Sequence, residues 1–235
     1  MSPSTPINVV LAWLKWPVAL ASLCLLPGTL LATWQLAADF TIGTENISLF
    51  IVGWVTYVAL WRLVFSRRMA GSLFSTMEHE LTHAIFAWMT LHWVTGFKAT
   101  WNRGGEVRYL GSGNWLISIA PYWFPTLCIP VMCFMILETF QNTAVMSAIL
   151  GVATAYHMTS TLRETHGEQP DLHTTGFVFA WMFLPTANLM AYGLIIAFAM
   201  DSLTGMNRWL EHLWLYTLEG YERLGLDTYL SQLIG

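Results

Sequence analysis

His79, Glu80 and His83 stand at the spacing H-E-x-x-H. On a helix, residues four apart share one face, so both imidazoles project from it one turn apart and Glu80 stands beside them. A zinc site built for hydrolysis needs about three protein ligands and an open position. The metal brings the pKa of its water to about 7, and a nearby carboxylate takes the proton. His79 and His83 are therefore expected as metal ligands and Glu80 as the general base. The motif lies within Leu73 to Val94, a stretch apolar enough to be a membrane span. So short a pattern also recurs by chance, with the three side chains merely satisfying one another in a helix bundle. Its setting argues for function, because burying ionisable groups in a span costs a few kcal/mol each.

A third ligand must come from elsewhere, and Asp171, His157, Glu164, His166 and His173 are the candidates. Asp171 is preferred. It follows Gln169-Pro170, where proline can open a helix, and precedes an apolar run, so its carboxylate sits at a helix start. The competing role for Asp171 is plain N-capping. His157, inside a span, reads as a core or supporting histidine. His92 lies nine residues beyond His83, on the opposite side of a continued helix, and is assigned to the membrane interface. Asn188, polar within an apolar helix, either holds a substrate backbone or bonds to a neighbouring span.

The elements that position these residues follow from composition. Of 235 residues, 55% are hydrophobic and 10% charged, against about a quarter charged in soluble domains. This is an all-α polytopic membrane protein, read as one membrane-embedded domain. A span needs roughly 20 apolar residues, and about six stretches offer them: Pro17 to Ala37, Ile47 to Phe65, Leu73 to Val94, Trp115 to Leu137, Thr143 to Thr161, and Thr175 to Met200. Met1 to Asn8 lacks the basic run of a secretory signal, so the first stretch is expected to be a retained span. Trp13, Trp16, Trp101, Trp115 and Trp209 fall near span ends and read as interfacial anchors.

Between the third and fourth spans, Phe97, Ala99 and Trp101 alternate with polar residues, Gly104-Gly105 supplies a turn, and Val107 and Tyr109 alternate again: a β-hairpin. Its backbone must lie at the interface or line a protein-walled cavity. Pro121, Pro125 and Pro130 predict a kinked or late-starting fourth helix. Residues 163–173 form the most polar internal stretch. Two spans separate it from the hairpin, so both reach the same membrane face. Residues 204–230 carry Trp209, Leu213 and Leu218 at helical spacing among charges, predicting an amphipathic helix on the membrane or on a docked partner protein. The net charge of -4, with few and scattered basic residues, offers no nucleic-acid surface.

Together, His79-Glu80-Leu81-Thr82-His83 in a span, the Gly-Gly-Glu-Val-Arg hairpin from Gly104 to Arg108, the proline-bearing span after Trp115 and Asp171 ahead of a later span resemble the site-two protease family of intramembrane zinc metalloproteases. The resemblance runs over about 73–200. It implies zinc held by His79, His83 and Asp171, Glu80 as base, and a hairpin, including Gly104 and Gly105, beside the site to receive an unwound membrane-protein substrate. The family's usual Leu-Asp-Gly is replaced here by Gln169-Pro170-Asp171-Leu172, nearer a minimal bacterial branch, which implies a multi-pass protein of the bacterial inner membrane. Two other readings stand beside it. One is a non-catalytic, zinc-stabilised membrane subunit or scaffold; the other is a membrane zinc protease with Glu164 as the third ligand.

Overall fold

The computed structural model describes residues 6–39, 45–65, 72–100, 104–137 and 143–223. The chain is mostly helical. Helix α1 (Pro6–Ala38) and α2 (Glu45–Leu60, continued by a π-turn at Trp61–Phe65) precede α3 (Ser72–Met89), which carries the motif. Strands β1 (Val94–Ala99) and β2 (Gly105–Tyr109) follow, then α4 (Trp115–Ile119), a 3-10 turn at Ala120–Tyr122, and α5 (Cys128–Ile136). Last come α6 (Thr143–Glu164), the short α7 (Pro170–Thr175) and α8 (Phe177–Arg223).

Among the described residues, three helical stretches are long and apolar enough to cross a bilayer: Pro6–Ala38, Asn46–Leu63 and Phe177–Arg223. The other three expected spans differ for physical reasons. The third, α3, matches Asn46–Leu63 in length, but Ser75, Glu78, His79, Glu80, Thr82 and His83 dilute its apolar character. The fourth is broken. Proline lacks the N–H that a helix interior needs, and across Pro121 and Pro125 the chain passes from α4 through the 3-10 turn to α5. Helix α6 has the length, but Ser147, Thr154, His157, Thr159, Ser160 and Thr161 dilute its apolar character.

Small residues let the helices approach closely, as is common where lipid replaces water. A Cβ at Gly53 of α2 would strike the Ala148 carbonyl of α6, and one at Gly151 the Phe50 carbonyl. Helix α1 runs beside residues 177–200 of α8, with the Thr186 hydroxyl donating to the Ser22 carbonyl at 2.7 Å. At Asp201 and Ser202 the backbone leaves helical geometry, Ser202 adopting φ 51°. Residues 203–223 then return antiparallel, Gly205 against the Ala197 carbonyl, Trp209 against Gly193 and Thr217 against Gly28.

That return corrects the sequence reading in two places. The described part of the 204–230 helix lies along α1 and the first arm of α8, burying its stripe of Trp209 and Leu213; residues 224–230 lie outside the described residues. Trp209 is fully buried and anchors nothing at an interface.

The hairpin forms as expected. Its antiparallel register pairs Phe97 with Val107 and Ala99 with Gly105, with an irregularity between Val94 and Gly96; Trp101 lies outside the described residues. Below the site, Ala19, Ile119, Tyr122, Leu172 and Phe179 share one buried cluster, joining α1, α4, α7 and α8.

Candidate metal centre

Helix α3 places His79 and His83 with ring centroids 4.8 Å apart and planes at 77°. Each ring is fixed through Nδ1. The Nδ1 of His79 lies 2.7 Å from Oε2 of Glu164 at the end of α6, and Ser75, one turn before His79, donates to the other oxygen of that carboxylate. The Nδ1 of His83 lies 2.7 Å from the Ile117 carbonyl. Asn114 makes this possible by capping α4, its Oδ1 accepting the Ile117 N–H at 3.0 Å. A carboxylate and a carbonyl only accept, so each Nδ1 carries the proton and each Nε2 presents a lone pair.

Both Nε2 atoms face one oxygen. Oδ2 of Asp171, on the first turn of α7, lies 3.4 Å from Nε2 of His79 and 3.3 Å from Nε2 of His83. These gaps exceed the 2.9–3.0 Å typical of an N–H···O hydrogen bond. They match the spacing of about 3.3 Å between neighbouring donors around a tetrahedral metal whose ligand distances are about 2.0–2.1 Å. The three donor atoms lie within 4.8 Å of one another. Three acceptors converging on one point form an arrangement that a cation stabilises, and two imidazoles with one carboxylate are a donor set that zinc accepts. The Tyr122 hydroxyl, donating to the same oxygen at 3.4 Å, steadies the carboxylate from beneath.

Glu80 is buried beside this triad, under β2. Gly105 crosses so closely that a Cβ there would collide with the Glu80 side chain, and Gly104 turns the chain at φ +72°. Both glycines line a cleft of about 590 Å³ together with His79, Glu80, His83, Glu106, Val107, Glu164 and Asp171. The hairpin and the polar 163–173 segment thus meet over the motif. Along β2, Arg108 donates to Glu106 at 2.8 Å and holds that carboxyl below its ordinary value.

The remaining sequence candidates contribute no donor atom to the triad. Glu164 touches the ring nitrogen of His79 that points away from the triad, so it orients a histidine. His157 is buried on α6, its Nδ1 3.4 Å from the Thr161 hydroxyl. His166 bonds with Gln169 at 3.2 Å, and His173 with the Gly167 carbonyl at 2.8 Å. Asn188 is not among the residues lining the cleft; its Nδ2 donates to the Tyr122 carbonyl at 2.9 Å. His92 corrects its assignment to the interface. Because α3 ends at Met89, the helical extrapolation fails, and His92 is buried in a network with Thr90, Asn8 and Ser112. The spacing rules did not single out Ser75, Ile117 or Tyr122. Ser75 alone left a trace, four residues before His79 and on the same helical face.

No curated protein and no solved structure matches this chain. The family described as Peptidase M50B-like matches residues 47–223, reaching beyond the motif-bearing 73–200 to take in α2 and the returning arm of α8. With three helices able to cross a bilayer and three donors placed for a metal, the chain belongs to this family of site-two, membrane-embedded peptidases.

Proposed function

We propose that this protein is an intramembrane zinc endopeptidase that cuts a membrane-anchored protein. The convergence of His79, His83 and Asp171 beside Glu80 carries this reading. Zinc bound there supplies Lewis acidity and makes water acidic enough to attack at neutral pH. Glu80 takes the proton from the attacking water and delivers it to the departing amine, the usual exchange for a positioned carboxylate. Gly105 gives that carboxylate its room.

A peptide bond in a helix is masked by its own hydrogen bonds, so the substrate must unwind before attack. Among the described residues the sheet has two strands, and β2 is paired on one side by β1. Its other edge offers backbone groups to the extended segment, which is strand addition. Membrane sites for such a chain suit the bacterial inner membrane. Any partner protein docking on the C-terminal arm would meet Trp214, Leu215 and Leu218, because Trp209 and Leu213 are covered.

The test co-reconstitutes the purified protein with single-span reporter proteins tagged at both ends. Wild type should carry one zinc and release a fragment. Glu80→Gln should keep the zinc and lose cleavage by about 10²–10⁴-fold, the usual contribution of general acid–base catalysis. Wild type without stoichiometric zinc, or a fully active Glu80→Gln variant, would overturn the reading.

A further inference from the structure

Helix α1 has one charged residue in its length from Pro6 to Ala38, and that residue is Lys15. A lone charge in an apolar helix ordinarily snorkels to water. Here it turns inward, its Nζ donating to the Thr175 carbonyl at 2.7 Å and lying 5.3 Å from the centre of the Phe179 ring.

Thr175 is the last residue of α7, the six-residue helix whose second residue is Asp171. Gly176 follows at φ 92°, a conformation that glycine adopts without strain, and α8 begins at Phe177. The break leaves the Thr175 carbonyl without the helical partner that a continuous chain would give. Lys15 supplies that partner. Ala19, one turn further along the same face of α1, shares a buried cluster with Leu172 of α7. The same helix also meets the other side of the site: the Leu11 carbonyl accepts from the Trp115 indole at 2.6 Å, and Asn8 accepts from Asn114, the cap of α4, at 2.9 Å.

We propose that Lys15, on a helix outside the 47–223 family match, is a positioning residue for the third metal ligand, seating the end of α7 through the Thr175 carbonyl and so fixing Asp171 opposite the two histidines. This rests on the metal-site reading above. The α1 helix is then part of the hydrolytic unit, supporting Asp171 from one end while Glu164 and Ile117 support the histidines from the other.

Zinc affinity of the full chain in detergent, measured by chelator competition, tests this. Lys15→Met should weaken zinc binding about 10–100-fold, the usual cost of losing a group that orients a ligand. Lys15→Arg should restore it to within a few-fold, and Lys15→Met should add nothing in an Asp171→Ala background. A purely structural role would instead lower the thermal midpoint of the metal-free protein, leave zinc affinity unchanged, and overturn the proposal. So would an equal loss of affinity in the Asp171→Ala background, which would show action through some other route. If Lys15→Met fails to fold, Lys15→Leu, which likewise offers no donor to the Thr175 carbonyl, is read by the same criteria. Failure of Asp171 as a ligand shows separately, as wild-type zinc affinity in Asp171→Ala; it overturns this proposal and returns the third-ligand role to Glu164, while absence of zinc from the wild type overturns the metal-site reading itself.

Discussion

Two walls close on the metal position, and they are built differently. The α3 wall presents His79 and His83, whose side chains are 11% and 10% exposed, each locked through Nδ1 by a partner on another element. The α7 wall presents Asp171, 31% exposed, on a helix of six residues. A helix that short has no stability of its own, since isolated helices need about 12–15 residues. Its position comes from Tyr122, Leu172 and Lys15. The helix that bears the histidines brings them to one face and their partners fix only the rings, whereas the aspartate's whole position comes from its neighbours.

The largest effects should follow from removing a ligand. His79→Ala and His83→Ala should each lose stoichiometric zinc after dialysis and all cleavage, because the α3 wall then offers one imidazole. Asp171→Ala should leave a two-histidine site that binds zinc weakly, visible only at excess metal. Elemental analysis of the three variants side by side checks this. Full zinc retention by Asp171→Ala would remove α7 from the site and return Glu164 to consideration as a ligand.

Glu164→Gln should come next. The glutamine carbonyl can still accept from Nδ1 of His79, but the negative charge that raises the basicity of the ring is gone. Zinc affinity should fall about 10–100-fold while the protein remains folded by circular dichroism. A complete loss of zinc, equal to that of His79→Ala, would show that the carboxylate binds the metal directly and that the two walls share a third ligand between them.

The same contrast explains what the sequence could disclose. Helical spacing four residues apart is a local rule, so His79, Glu80 and His83 could be placed on one face without knowledge of the fold. The hairpin was equally local, carried by alternation and the Gly104-Gly105 turn. Asp171 was reached as the preferred of five candidates, because Pro170 marks a helix start, though not what faces it. Ile117 could not have been found at all, since it contributes a backbone carbonyl and its side chain is irrelevant. Lys15 drew no reading, as it falls just before the Pro17 to Ala37 stretch and its partner is 160 positions away. The expected spans around the site are only weakly marked, for α3 and α6 hold the polar groups that serve it, and those groups dilute the very signal that identifies spans. The returning arm of α8 was misplaced for a related reason: an apolar stripe shows that a helix is covered, not by what.

The smallest effect expected at the site concerns the seam between α2 and α6. Gly151→Leu would drive a side chain into the Phe50 carbonyl, where even a Cβ does not fit. Overpacking of this kind typically costs 1–3 kcal/mol, measurable as a lower thermal midpoint in detergent. Zinc per folded molecule should be unchanged, because Gly151 lies thirteen residues from Glu164, about 20 Å along the helix, and α6 can shift at one end while His79 holds the other. If zinc affinity fell together with stability, the orientation of His79 would depend on the whole α2–α6 pair, and the α3 wall would be no more self-sufficient than the wall that carries Asp171.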